Sequence, residues 1–187
     1  SKLYLCRDKL GIKPLFWSKN NKNIGWASEI KGLQEIFNSE IDHLRTIFSY
    51  AAYPDAYRNQ TLFRGIEILE PGHYIEIDTN HNIKKNKYFS ILDCLDAKYH
   101  KELNSMRFEV LVQYLDDLMN KSVNSMLMSD VSFGSFVSGG LDSNLITSIA
   151  KNYNKKIKLF SSNVIGEHSE INFAKILSKE LELSLFI

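Results

Sequence analysis

Cysteine is scarce in this sequence. Only Cys6 and Cys94 occur, too few for a disulfide framework and without metal-ligand spacing. Each is expected to be a small buried apolar residue rather than a reactive thiol. The five histidines (His43, His73, His81, His100 and His168) form no HxH or HxxxH pattern, which argues against zinc. Charge imbalance is missing as well. Lys and Arg total 23 against 22 acidic residues, so a net charge of +1 offers no electrostatic footprint for nucleic acid. No run approaches the roughly 20 apolar residues that a membrane helix needs, and the first residues do not read as a signal peptide. Internal repeats and low-complexity segments are absent too. These absences leave a globular chain suited to a reducing cytoplasm, with no membrane or nucleic-acid partner expected. Its 187 residues, 44% of them hydrophobic, suffice for a real core in one domain or two small ones.

The hydrophobic pattern divides the chain into two styles. Leu3 to Cys6, Leu15 to Trp17 and Ile24 to Ala27 read as short strands, the last two joined by a polar turn over residues 19–23, which argues for antiparallel hairpins. Ile30, Leu33 and Phe37 follow at helix spacing. A second helix is expected from Ile41 to Ala52, stopping before Pro54. Thr61 to Ile68 reads as extended and Pro71-Gly72 as a turn. His73 to Asp78 reads as a strand with Ile75 and Ile77 on one face. Between Lys84 and His100 the pattern is weak, and a domain junction is placed there.

Beyond it, Phe108, Leu111, Leu115, Leu118, Val123, Met126 and Leu127 form a helical stripe expected to pack into a core, giving a long helix from Arg107 to Met128. Then come a strand at Phe133–Val137, a helix at Leu141–Tyr153, a strand at Ile157–Ser161, a helix at Glu170–Leu181 and a strand from Leu183. Alternating strands and helices predict a parallel sheet with crossover helices. The fold class expected is therefore α+β for the first part and α/β for the second.

The segment richest in chemistry is Ser138-Gly139-Gly140-Leu141-Asp142-Ser143, set between a predicted strand and a predicted helix. Two glycines let backbone N–H groups approach an anion, and the helix start adds its positive end. Ser138 and Ser143 add hydroxyls, and Asp142 offers a carboxylate for Mg²⁺. No lysine is present, so this is not the GxxxxGK[ST] loop, and metal is expected to supply the positive charge. Such a site suits cleavage between the α- and β-phosphates of ATP with pyrophosphate retained. The string resembles the SGGxDS loop of the N-type ATP pyrophosphatases, which include the asparagine, GMP and argininosuccinate synthetases.

Further strings narrow the resemblance. Arg7 to Leu15 (RDKLGIKPL), Ala27 to Lys31 (ASEIK), Thr61 to Ile66 (TLFRGI), Leu69 to Tyr74 (LEPGHY) and Ser129-Asp130-Val131 resemble, in order, glutamine-dependent asparagine synthetases. The resemblance implies residues 1–90 from the end of an N-terminal-nucleophile (Ntn-type) glutaminase sandwich. It implies residues 91–187 from the start of an adenine nucleotide α-hydrolase-like ATP-pyrophosphatase domain. Glutamine, aspartate and ATP would be the substrates, with ATP and Mg²⁺ at the loop and a homodimer of the full-length protein left open. Aspartate would be activated as an acyl-adenylate and then amidated by ammonia from glutamine.

Through the resemblance, Phe136 stands where an aliphatic residue contacts the nucleotide, and Ser162 where one lines the adenine pocket. Ser132 and Asn144 replace the usual proline and serine, and Glu170 resembles an acidic residue following the second strand. Arg7 and Asp8 are expected to form a structural ion pair. No catalytic residue is expected within the chain, because the glutaminase cysteine, the glutamine-binding residues and a second SGEGxDE loop would lie outside it. The rivals are an amidotransferase for another carboxylate, such as a sugar uronic acid or a β-lactam precursor, and a non-catalytic nucleotide-binding remnant.

Overall fold

The computed structural model describes residues 1–51, 59–163 and 170–187. They divide into two compact units, Ser1–Asp96 and Ala97–Ile187. No helix among the described residues is long and apolar enough to cross a membrane.

The first unit is built from two antiparallel three-stranded sheets. One orders its strands β1 (Lys2–Cys6), β5 (His73–Asp78), β6 (Ile83–Lys87). The other orders them β3 (Ile24–Ala27), β2 (Phe16–Lys19), β4 (Ile66–Ile68). The alternation in β5 works as a strand should: Ile75 and Ile77 are buried and join Leu5, Trp17 and Leu69 in one cluster fed by both sheets. Two helices, α1 (Lys31–Phe37) and α2 (His43–Ala51), lie between β3 and β4 in sequence. Ile41, expected in the second helix, instead makes a bridge to Phe63, and the expected stop before Pro54 lies outside the described residues. Residues 61–68 are not uniformly extended: Gly65 has φ +75° and the Ile66 N–H returns to the Phe63 carbonyl, so the chain turns before β4.

Arg7 and Asp8 form no ion pair with each other among the described residues; both bind backbone. The Arg7 guanidinium donates to the carbonyls of Lys13 (3.1 Å), Leu69 (2.6 Å) and Gly11 (2.8 Å). The Asp8 carboxylate accepts from the N–H groups of Leu10, Ile12 and Lys13. Together they tie the loop after β1 to the turn before β5. That turn needs glycine at 72, where φ is +65° and a Cβ would sit 2.4 Å from the Phe89 carbonyl oxygen.

The Lys13 and Ile12 N–H groups hold the Asp8 carboxyl below its ordinary pKa. A group shifted downward stabilises the fold above the ordinary carboxylate range and ceases to do so as pH falls through its lowered native value. Asp8→Asn should therefore be less stable than wild type near neutrality, with the gap narrowing as pH falls through and below the ordinary carboxylate range. Parallel acid limbs in urea melts of the two proteins would contradict this.

Neither cysteine is buried. Leu5 points into the core, so Cys6, its neighbour on a strand, faces outward, and Cys94 lies on a 3₁₀ turn (Ile91–Cys94) with no buried residue.

In the second unit α3 (Ala97–Ser105) precedes α4 (Phe108–Met126), the two linked by the hydroxyls of Tyr99 and Tyr114. The stripe expected to pack into the core does so only toward its end. Val123 is buried and Met119 and Leu127 pack beside it, whereas Phe108, Leu115, Leu118 and Met126 are exposed. The sheet is parallel, in the order β7 (Gly134–Phe136), β8 (Lys158–Phe160), β9 (Leu185–Phe186). The helices α5 (Leu141–Tyr153) and α6 (Ile171–Glu180) connect consecutive strands. Val137, Ile149, Leu159, Ala174 and Leu183 form the centre of its core.

Candidate functional site

The loop begins where β7 ends. Val137 is buried and its N–H donates to the Phe160 carbonyl at 2.8 Å, holding the strand end in the sheet. From there the chain must turn sharply to start α5. Gly139 takes φ +93° and Gly140 stands just before the helix in extended conformation. One face of α5 (Thr147, Ile149 and Ala150) is buried, and the Ser135 and Thr147 hydroxyls meet at 2.7 Å between β7 and the helix. Strand and helix thus fix both ends of the loop.

The loop's side chains bond among themselves. The Gly140 N–H donates to Ser138 Oγ at 3.2 Å, and the Ser138 and Ser143 hydroxyls lie 3.2 Å apart. Ser143 Oγ donates to the Gly140 carbonyl at 3.1 Å. Asn144 Nδ2 donates to the Gly139 carbonyl at 3.3 Å. The serines expected as free donors are here linked to each other.

Two features leave room for an anion and a cation. Gly140 has no side chain to cap α5, and among the described residues the first-turn N–H groups of the helix receive no side-chain bond. The Asp142 carboxylate, on the exposed side of that turn, takes part in no hydrogen bond or ion pair among the described residues. An uncapped helix start beside a free carboxylate fits a diphosphate held with a divalent cation. No group of three or more acidic, histidine or cysteine residues among the described residues could hold a metal by itself. A cation here would therefore draw most of its ligands from the phosphates and water, as Mg²⁺ does.

Gly139 has a second role that motif reasoning did not foresee. A Cβ there would stand 2.7 Å from the Glu170 carbonyl oxygen and 2.8 Å from Phe173 Cβ. Its missing side chain admits the start of α6, not only a ligand. Glu170 itself occupies the position before α6, and its side chain makes no capping bond. Phe136 and Ser162 stand at the carboxyl ends of the neighbouring strands β7 and β8, the same end of the sheet as the loop. There Phe136, Phe160 and Phe186 line up across the three strands, with ring centroids 6.0 and 5.3 Å apart. Each phenylalanine closes its strand, one residue short of the ends expected at Val137 and Ser161. Carboxyl ends of parallel strands are where open α/β sheets bind their ligands.

Comparison with known proteins bears on both units. A glutamine amidotransferase domain family matches residues 1–89, and the asparagine synthase family matches residues 114–185. The class so defined joins a glutamine amidotransferase domain to an amide-forming synthase domain. Asparagine synthetase [glutamine-hydrolyzing] 1 of Bacillus subtilis (strain 168) is 34% identical over 177 residues, covering 92% of this chain and 26% of the relative. Asparagine synthetase [glutamine-hydrolyzing] 2 of the same organism is 31% identical over 194 residues, covering 98% and 25%. A putative asparagine synthetase [glutamine-hydrolyzing] of Mycobacterium tuberculosis (strain ATCC 25618 / H37Rv) is 29% identical over 178 residues, covering 92% and 26%. This chain belongs to the asparagine synthetase family. It spans about a quarter of the length of these curated relatives.

Proposed function

We propose that this chain is part of a glutamine-dependent, ATP-driven synthetase that amidates aspartate to asparagine. Residues 1–90 belong to its glutaminase domain, an N-terminal-nucleophile sandwich, and residues 91–187 to its ATP-pyrophosphatase domain, an adenine nucleotide α-hydrolase-like sheet. The observation that carries the reading is the Ser138–Ser143 loop, which opens an uncapped helix at the carboxyl end of a parallel strand. That position is the one expected for an ATP diphosphate, and the similarity of both units to glutamine-hydrolysing asparagine synthetases supports glutamine as the nitrogen source and favours aspartate as the acceptor.

In this reading a carboxylate oxygen of aspartate attacks the α-phosphorus of ATP, forming an acyl-adenylate and releasing pyrophosphate. Ammonia from glutamine then attacks the acyl carbon, and AMP departs with the carboxylate oxygen. The first turn of α5 receives the negative charge that collects on the leaving pyrophosphate. Asp142 would hold Mg²⁺, which neutralises phosphate oxygens. Phe136 and Ser162 would border the nucleoside. Glutamine hydrolysis falls to a cysteine outside these residues, since Cys6 lies within β1 and Cys94 on a 3₁₀ turn. The chain by itself is accordingly expected to complete neither half-reaction.

The test is isotopic. With aspartate labelled by ¹⁸O in its side-chain carboxylate, the full-length protein should transfer label to AMP in proportion to asparagine formed. Label in inorganic phosphate with ADP as product would exclude adenylation. Label in AMP from a uronic acid but not from aspartate would move the protein to another acceptor.

A further inference from the structure

We propose that Asn144 is a positioning residue of the diphosphate loop, its amide holding the Gly139–Gly140 peptide so that the Gly139 carbonyl faces away from a bound anion. The proposal rests on the diphosphate reading above. The Gly139 carbonyl and the Gly140 N–H are opposite ends of one peptide plane. Asn144 Nδ2 holds the carbonyl end at 3.3 Å, and Ser138 Oγ holds the N–H end at 3.2 Å. Among the described residues the Gly139 carbonyl has no other hydrogen-bond donor. The Gly140 carbonyl, by contrast, is held twice, by the Ser143 hydroxyl and by the Asn144 N–H at 3.1 Å each.

Rotation of that plane by half a turn would break both of its bonds. It would also aim the carbonyl oxygen where the Gly140 N–H now points, at the Ser138 and Ser143 hydroxyls. An acceptor dipole there opposes an anion that the helix start attracts. Glycine on both sides of the peptide offers little steric resistance to the rotation, so hydrogen bonds must supply it.

The other half of the same amide provides an independent observation. Asn144 Oδ1 is buried and has no hydrogen-bond partner among the described residues. An orphaned buried acceptor destabilises a fold, and replacing the whole group by an apolar one of similar shape removes that penalty. Asparagine at this place therefore serves the loop at the expense of the helix.

This separates positioning from a merely structural role. The experiment titrates the full-length protein, wild type and Asn144→Leu, with inorganic pyrophosphate in the presence of Mg²⁺, and follows thermal unfolding of both. The variant should bind pyrophosphate roughly fivefold more weakly, the factor expected for one hydrogen bond that biases a two-state loop. Its unfolding midpoint should stay the same or rise. In protein labelled with ¹⁵N-glycine, the Gly140 amide should exchange faster in the variant than in wild type. Equal binding by the two proteins, unchanged Gly140 exchange, or weaker binding with a lowered midpoint would each overturn the positioning role. Wild-type protein that fails to bind pyrophosphate would overturn the diphosphate reading itself, and this proposal with it.

Discussion

Asp142→Ala is expected to lower aspartate-dependent pyrophosphate release by the full-length protein about a hundredfold or more, the size of effect seen when one charge-stabilising group is taken from a transition state. The carboxylate bonds to no other described residue, so its removal leaves the fold nearly intact. Only its favourable placement in the first turn of α5 is lost, a few tenths of a kcal/mol to about 1 kcal/mol. Activity should collapse while the unfolding curve hardly moves. Binding of ATP without metal should improve slightly, because a negative charge near the phosphates has gone; binding with Mg²⁺ should weaken. The decisive measurement is the difference between those two titrations. If metal strengthens ATP binding as much in the alanine variant as in wild type, Asp142 does not hold the cation.

The adjacent glycines should answer differently to the same substitution. Gly139→Ala places a methyl group against the Glu170 carbonyl and Phe173, in a backbone conformation that L residues avoid. Strain and overlap together are expected to destabilise the second unit by about 3 kcal/mol. Gly140→Ala meets nothing nearer than Ser138 Oγ at 3.3 Å, at a φ of −73° that any residue adopts. Its effect on stability should stay within about 1 kcal/mol. Urea melts of both variants distinguish these outcomes. A small effect at Gly139 would mean that α6 is free to move away from the loop.

The sequence made the loop, and much of the secondary structure, readable. The bounds of α5 coincide with the expectation, because a glycine pair precedes it, Asp142 and Lys151 complement its ends and an apolar stripe runs between them. Two elements in the weak stretch were invisible for different reasons. The strand β6 reads Ile-Lys-Lys-Asn-Lys and is fixed by pairing with β5 across the Asp78–Asn82 turn, where Asp78 binds the N–H groups of Asn80 and Asn82. Helix α3 buries no residue, so it has no core-facing stripe to detect.

Site residues were legible as a motif, but their packing was not. Periodicity within α6 carries no information that its start touches Gly139, and the replacement of the usual serine by Asn144 does not by itself reveal that its amide bonds the loop. The exposure of Cys6 follows from its neighbour. The burial of Leu5 beside it implies, by strand alternation, that the thiol points out.

The pairing of β1 with β5 bears on how the polypeptide acquires its shape during synthesis. Lys2 meets Asp78 and Cys6 meets Tyr74, so the pairing of these two strands cannot form until β5 has left the ribosome. At ordinary translation speeds that wait lasts on the order of 3–15 s, with apolar residues such as Leu5 unshielded meanwhile. In the later unit each new βα segment can be laid beside the one just made, because β7, β8 and β9 are neighbours in the order of their emergence. Within these two units, chaperone demand thus falls mainly on the first, and a pause in translation shortly before residue 74 would prolong it.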